Sequence, residues 1–266
     1  MTIPDHCGMP LKLVTQGSAT ICSAAEDINQ ILGRDQVKIL DLGGGVPTSY
    51  WTDEEVYSFM DYRKELEEAS PNMFSGKFRI YTEFGRALFA KYAITLTRIG
   101  NIKRSDANGS DIDKLRAEHE QNQILFSFVG SNNFFREAYQ ADKWRRRFTA
   151  FNQDGSEKKV VRENSGLENS GLVKTDIAGP LCFQGDYLAK DVPLPENIDL
   201  EDILVMHDTG GYTMSLYCKF NSRPCHSVYG MKRNGDGFEF YQFKKRETLD
   251  QVLEFWGPRG ELKKVE

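Results

Sequence analysis

Long apolar runs are missing: nowhere in its 266 residues does the chain approach the ~20 consecutive apolar residues a membrane-crossing helix needs. The opening MTIPDHCGMPLKL has no continuous apolar segment of the kind a secretory leader uses. Basic charge is in short supply. Lys and Arg number 34 against 39 Asp and Glu, a net charge of −5, so neither a nucleic-acid nor a membrane partner is expected. Cysteine is sparse too. Cys7, Cys22, Cys182, Cys218 and Cys225 are scattered, odd in number and without C-x-x-C spacing. That argues against a disulfide framework and against a metal site, and for a reducing, cytoplasmic compartment. In such a compartment the sequon Asn108-Gly109-Ser110 is a chance match.

What is present reads as a soluble globular chain. Hydrophobic residues make up 39% and charged residues 27%, enough for one large domain or two smaller ones. VKILDL (37–42) is a short buried strand that runs into three glycines, Gly43, Gly44 and Gly45. Thr52 and Glu55 have capping-box spacing, and Val56, Phe59, Met60 and Leu66 recur at helical spacing, which predicts a helix over 53–69. SPN (70–72) ends it, and KFRIYTEF (77–84) is the next strand. Strand, glycine turn, helix and strand make a βαβ unit.

Beyond residue 86 the texture changes. Residues 87–102 start helical and continue as a long strand, and 103–123 read as a charged surface insertion. Strand-like runs begin at 124, 145, 173, 202, 212, 226 and 238, with turn residues between them, which predicts an antiparallel β domain with barrel character. NSGLENSGL (164–172) is a small tandem repeat in a loop, and TLDQVLEFW (248–256) is a terminal helix.

Glycine gives up side chains and backbone order, so a triplet marks a backbone that is approached closely or bent sharply. Successive N–H groups at such a turn form an anion cup. On the triplet alone, a plain tight turn is an equal reading. Further motifs follow in order, however: EFGR (83–86), GPLCFQGD (179–186), DTGGY (208–212) and NSRP (221–224). The ordered set resembles the fold type III (alanine-racemase-fold) decarboxylases that use pyridoxal 5′-phosphate, the diaminopimelate, ornithine and arginine decarboxylase group. The resemblance runs over roughly residues 6–231, and NSRP is closest to the diaminopimelate branch.

The resemblance implies roles. Gly43, Gly44 and Gly45 would bind the cofactor phosphate, with Tyr212 as a further phosphate partner. Glu83 would hold the pyridine nitrogen protonated, keeping the ring an electron sink. Arg86 would meet phosphate or substrate carboxylate. Phe84 stands where the family has proline. Arg136 and Tyr139, in GSNNFFREAY (130–139), would grip an amino-acid substrate, although Tyr139 sits one residue early. Cys182 would be the acid that reaches across a dimer interface to reprotonate the substrate carbon. The family's next residue is acidic and holds a distal amine; here it is Phe183. Taken singly, each residue has a plainer reading: a surface ion pair for Glu83 and Arg86, a small buried hydrophobe for Cys182, a core tyrosine for Tyr212.

The implied fold class is α+β. A C-terminal antiparallel β-barrel-like domain (87–245) is preceded by the last βα units of an incomplete (β/α)8 barrel (1–86) and followed by a terminal helix and tail (246–266). The family's cofactor-holding lysine belongs to early barrel strands. His6-Cys7-Gly8-Met9 looks like the remnant of a later segment, and Lys91 is a poor substitute for that lysine. The implied function is the C-terminal part of a pyridoxal-phosphate amino-acid decarboxylase (a lyase of lysine biosynthesis), not competent alone and paired as a homodimer or with a full-length relative. The alternatives are a catalytically inactive paralogue acting as a regulatory or dimerisation module, and an unrelated β-rich binding protein. The family reading places Gly44, Glu83 and Tyr212 around one cleft, with Cys182 on the surface.

Overall fold

A computed structural model describes residues 10–53, 56–104, 123–140, 144–159, 171–257 and 260. Glu55, the bulk of the charged insertion, most of the tandem repeat and His6 to Met9 lie outside them.

The first element is one the sequence pattern did not announce. Helix α1 (Leu11–Leu32) buries Val14, Thr15, Ser18, Cys22 and Ala25, a stripe of small and partly polar side chains at helical spacing. Gly33, at φ 60°, closes it: its N–H reaches Gln30 O and that of Arg34 reaches Asn29 O, the paired bonds of a Schellman stop. The Asn29 side chain then bonds both the N–H and the carbonyl of Val37, aiming the chain into β1 (Ile39–Asp41). Helix α2 (Phe59–Ala69) begins six residues later than the predicted 53. Ser58 and Asp61 form its capping box; the expected box of Thr52 and Glu55 involves a residue outside those described, and the Ser49 hydroxyl takes the Thr52 N–H in a turn of its own. β2 (Arg79–Tyr81) pairs parallel with β1. Leu40, Leu42, Tyr62, Leu66, Met73 and Phe78 join Val14 and Cys22 in one core.

Helix α3 (Arg86–Phe89) and a 3-10 turn (Ala90–Tyr92) lead into the second unit. Its strands are β3 (Thr95–Arg104), β4 (Gln123–Ser127), β5 (Phe148–Phe151), β6 (Leu172–Ala178), β7 (Tyr187–Pro195) and β8 (Ile203–Met206). They lie in the order β5-β8-β3-β4-β6-β7. Helix α4 (Phe135–Tyr139) follows β4. Two expectations need correction. The sheet is mixed, since β4 and β6 pair in parallel. It is also an open, curled half-barrel, with β5 and β7 at its edges. The curl has a local cause: β3 pairs with β8 through Thr95–Arg98 and with β4 from Ile99 onward, and the register slips at Gly100, a bulge that bends the strand. A Cβ at Gly100 would stand 3.0 Å from the Phe128 ring. Ile99, Leu125, Phe134, Ile177, Leu188, Leu204 and Met206 form the core.

The run at 212–218 is not a strand. Asp208 and Tyr212 have φ of 59° and 58°, and Thr213 Oγ1 and Leu216 N bond back within the turn, leaving a 3-10 turn at Met214–Leu216. The last two strands, β9 (Val228–Asn234) and β10 (Gly237–Lys244), form a separate antiparallel ribbon. Helix α5 (Leu249–Phe255), with a Thr248–Gln251 capping box, ends the described chain close to its predicted place. Among the described residues no helix is long and apolar enough to cross a membrane, and no group of His, Cys, Asp or Glu is placed to hold a metal.

Candidate functional site

The glycine turn and the EFGR segment leave adjacent parallel strands, so they emerge side by side. Leu42 N–H bonds Tyr81 O, and two residues on Glu83 N–H bonds Gly43 O at 2.8 Å. Gly43 and Gly45 take φ of 68° and 105°, the left-handed region where a side chain is strained. Gly43 N–H is held by Asp41 Oδ1 at 2.9 Å. The N–H groups of Gly44 and Gly45 donate to no described residue, and Gly44 is buried. A buried N–H calls for an acceptor, so this turn suits an anion. Phe84, in place of proline, packs on Phe59 and Tyr62 with centroids at 5.1 and 5.4 Å, tying the turn after β2 to α2.

Arg86 opens α3 and is buried. Its guanidinium lies 3.9 Å from the Trp144 ring centroid, 5.2 Å from Tyr212 and 5.7 Å from Tyr50. Arg136, on α4, lies 4.1 Å from Tyr212 and 5.4 Å from Trp144. Two guanidiniums are thus stacked about the same two rings, an arrangement that planar, weakly hydrated arginine favours. Gly85 makes it fit, since a Cβ there would meet Tyr212 Oη at 2.9 Å.

Nearby carboxylates are already engaged. Glu137, fully buried, pairs with buried Arg146 at 2.5 Å, and Arg146 also donates to Asp208 O. Asp208 takes Lys91 at 3.1 Å and Arg147 at 3.5 Å. Lys91 bonds Thr52 O at 2.7 Å as well. Arg147 bonds Asp53 at 2.7 Å and holds that carboxyl below the usual aspartate value. Burial, and then Arg147, push His207 down.

Of the residues expected at a site, the structure brings Gly43 beside Glu83, and Arg86, Arg136 and Tyr212 together. Tyr139 is exposed and stacks on Phe135. Cys182 is exposed and pairs with Asn221. Sequence reasoning missed Tyr50, Trp144 and Arg146; the one available signal was a tryptophan beside three arginines, Trp144 to Arg147.

Comparison with known proteins follows the same lines. The family model for the C-terminal sheet domain of pyridoxal-dependent decarboxylases matches residues 56–210. Diaminopimelate decarboxylase of Buchnera aphidicola subsp. Baizongia pistaciae is 24% identical over 88% of this chain and 51% of its own length. That of Escherichia coli strain K12 is 25% identical over 88% and 50%. The crystal structure of diaminopimelate decarboxylase from Helicobacter pylori complexed with L-lysine superposes with a TM-score of 0.69 at 20% identity, covering 96% of this chain and 53% of that one. The m. jannaschii enzyme in co-complex with L-lysine gives 0.69 at 18% identity, covering 94% and 49%. The chain spans about half the length of these relatives. With more than half of its residues matched by the family model, the chain belongs to the pyridoxal-dependent decarboxylases, in their C-terminal sheet domain.

Proposed function

We propose that this chain is the C-terminal part of a cytoplasmic, diaminopimelate decarboxylase-like enzyme of lysine biosynthesis, contributing the anion-holding half of a pyridoxal 5′-phosphate site. Residues 1–86 correspond to the cofactor barrel, 87–245 to the sheet domain and 246–266 to the terminal helix and tail. The observation that carries the reading is the pairing of the glycine turn with Glu83 through the Glu83 N–H to Gly43 O bond, three residues before an arginine, Arg86, stacked on Trp144 and near Tyr212.

The residues fit the group. Gly44 and Gly45 N–H, Arg86 and the Tyr212 hydroxyl would hold the phosphate, and Glu83 would keep the ring nitrogen protonated. When bound, the cofactor supplies an electron sink for the carbanion left as CO2 departs. Arg136 would bind the substrate carboxylate, with Tyr139 at the rim, and Cys182 would deliver a proton to the substrate carbon in a dimer partner's site. Lys91 is committed to Thr52, Asp53 and Asp208. The lysine that holds the cofactor covalently is therefore assigned to a segment or partner other than the residues described, with a homodimer or a full-length relative as the assembly.

The test is an absorbance titration with pyridoxal phosphate, followed by borohydride reduction and peptide mass spectrometry. Reversible binding is expected, weakened at least about tenfold in Arg86→Ala by loss of a charge-assisted bond, with no stoichiometric adduct on a lysine of this chain. A spectrum indifferent to the protein would favour the inactive dimerisation module. A stoichiometric adduct with CO2 release would show that Lys91 or another lysine here does what we assign elsewhere.

A further inference from the structure

One buried side chain touches three of the segments that carry candidate site residues. Arg146 is 2% exposed. Its Nε donates to Glu137 Oε1 at 2.5 Å, and its Nη1 donates to Asp208 O. Its guanidinium lies 4.5 Å from the Tyr50 ring centroid. Glu137 follows Arg136 on α4. Asp208 opens the turn that ends at Tyr212, and Tyr50 lies in the loop after the glycine turn. Tyr50 also packs with Trp144 and Ala90 in a small core of its own. Arg146 thus joins the carriers of Arg136, of Tyr212 and of the glycine turn.

The turn at 208–212 needs such a hold. Asp208 and Tyr212 have φ of 59° and 58°, a conformation that costs a residue with a side chain and persists where its surroundings fix it. Thr209 N–H bonds Ala93 O and Gly210 N–H bonds Ala90 O, which anchor the turn to the 3-10 segment after α3. Arg146 anchors it from the opposite side, through the Asp208 carbonyl. Stability alone does not explain the ion pair. Glu137 is fully buried, and its Oε2 has no hydrogen-bond partner, an unmet acceptor that costs free energy. A buried ion pair is often matched or bettered in stability by apolar side chains of similar volume. What apolar side chains cannot reproduce is the fork: one planar guanidinium held by Glu137 at Nε so that Nη1 meets Asp208 O.

We infer that Glu137 and Arg146 are positioning residues, which set the turn carrying Tyr212 against Arg86 and Arg136 and thereby raise the affinity of the site for a phosphorylated ligand without touching it. The inference rests on the reading of Arg86 and Tyr212 as holders of the cofactor phosphate. Tyr212 lies 5.2 Å from the Arg86 guanidinium and 4.1 Å from that of Arg136, so a turn released at Asp208 loses the common placement of hydroxyl and guanidiniums.

The test compares the parent chain with the double variant Glu137→Met, Arg146→Met and with Arg146→Lys, which keeps the charge and loses the fork. Each is measured for its urea midpoint, for pyridoxal phosphate affinity by absorbance titration, and, with no ligand present, for the fluorine NMR resonance of Tyr212 in chain labelled with fluorotyrosine and assigned by Tyr212→Phe. The double variant should unfold at or above the parent's urea midpoint, yet bind pyridoxal phosphate at least about tenfold more weakly, the worth of one charge-assisted hydrogen bond. The Tyr212 resonance should move in both variants. The inference is overturned if affinity is unchanged in the double variant, or if affinity falls only together with stability while the Tyr212 resonance stays in place. Should the double variant fail to fold, Arg146→Lys decides: an unmoved Tyr212 resonance there overturns the inference. A parent that binds no pyridoxal phosphate, with the resonance displaced in both variants, would sink the proposed function and leave the placement of the turn by this pair standing.

Discussion

Replacing Asp186 by alanine should be among the most damaging single changes to the sheet domain, and the geometry sets its size. The carboxylate joins two loops, the turn that precedes α4 and the turn that carries Cys182, through Ser131 N, Ser131 Oγ and Leu181 N. Its removal leaves two buried backbone donors with no acceptor, because the serine hydroxyl can rotate but the N–H groups cannot. Each orphaned donor costs about 1–3 kcal/mol, so about 4 kcal/mol is expected. With a urea slope near ~2 kcal/mol per molar, that moves the unfolding midpoint down by about 2 M. Asp186→Asn separates hydrogen bonding from shape. Its oxygen can still serve Ser131, but its NH2 then faces Leu181 N–H, so one donor is orphaned and about 2 kcal/mol is lost. Urea unfolding followed by circular dichroism decides the matter. A loss in Asp186→Ala below about 1 kcal/mol, under the cost of even one orphaned donor, would refute the reasoning, as would Asp186→Asn losing more than Asp186→Ala.

Three further outcomes are expected. Gly210→Ala would place a Cβ 1.8 Å from Phe89 O; because the obstacle is backbone, the joint between α3 and β8 must shift, and the thermal midpoint should fall by at least about 5 °C, the shift expected for roughly 2 kcal/mol in a chain of this size. Arg86→Lys keeps the charge but loses the flat guanidinium stacked 3.9 Å from Trp144, so tryptophan emission should shift and pyridoxal phosphate binding weaken about fivefold or more; unchanged emission would contradict the stacking. Burial and then Lys244 hold His226 below the ordinary histidine value, so the unfolded chain takes up a proton before the folded one does. Stability therefore falls as pH drops through about 6.5 toward the folded value, and His226→Gln should narrow the difference in urea midpoint between about pH 7.5 and 5.5.

The sequence was legible where burial follows period. β1, β2, β4 and β6 carry apolar runs closed by glycine or by turn residues, and each appears within a few residues of its expected place. It was silent where burial uses small or polar side chains. Helix α1 packs through Thr15, Ser18, Cys22 and Ala25, which give no large apolar stripe to count. β7 was hidden by Pro193, Pro195 and the pair Lys190-Asp191; it is an edge strand, the one place in a sheet where proline costs no ladder bond. The opposite error, a strand expected at 212–218, came from reading aromatic and β-branched composition where two left-handed residues, Asp208 and Tyr212, had already turned the chain.

The site divides along the same line. Gly43, Glu83, Arg86 and Tyr212 stood in motifs whose order carried information, and two of them sit in backbone conformations that permit few substitutions: Gly43 at φ 68° and Tyr212 at φ 58°. Tyr50, Trp144 and Arg146 act through ring faces and a buried ion pair, which impose geometry but no fixed spacing along the chain. A motif records constraints that are local in sequence. The stack joining Arg86 to Trp144 spans 58 positions, 86 to 144, and only folding places the two together. For this reason Trp144→Phe is the sharper probe of the stack: it keeps an aromatic face for Arg86 while removing the indole, so pyridoxal phosphate binding should persist, whereas Trp144→Ala should weaken it about fivefold, the cost of losing a desolvated cation–π contact. Equal loss in both variants would mean that the indole ring edge, and not its face, holds Arg86 in place.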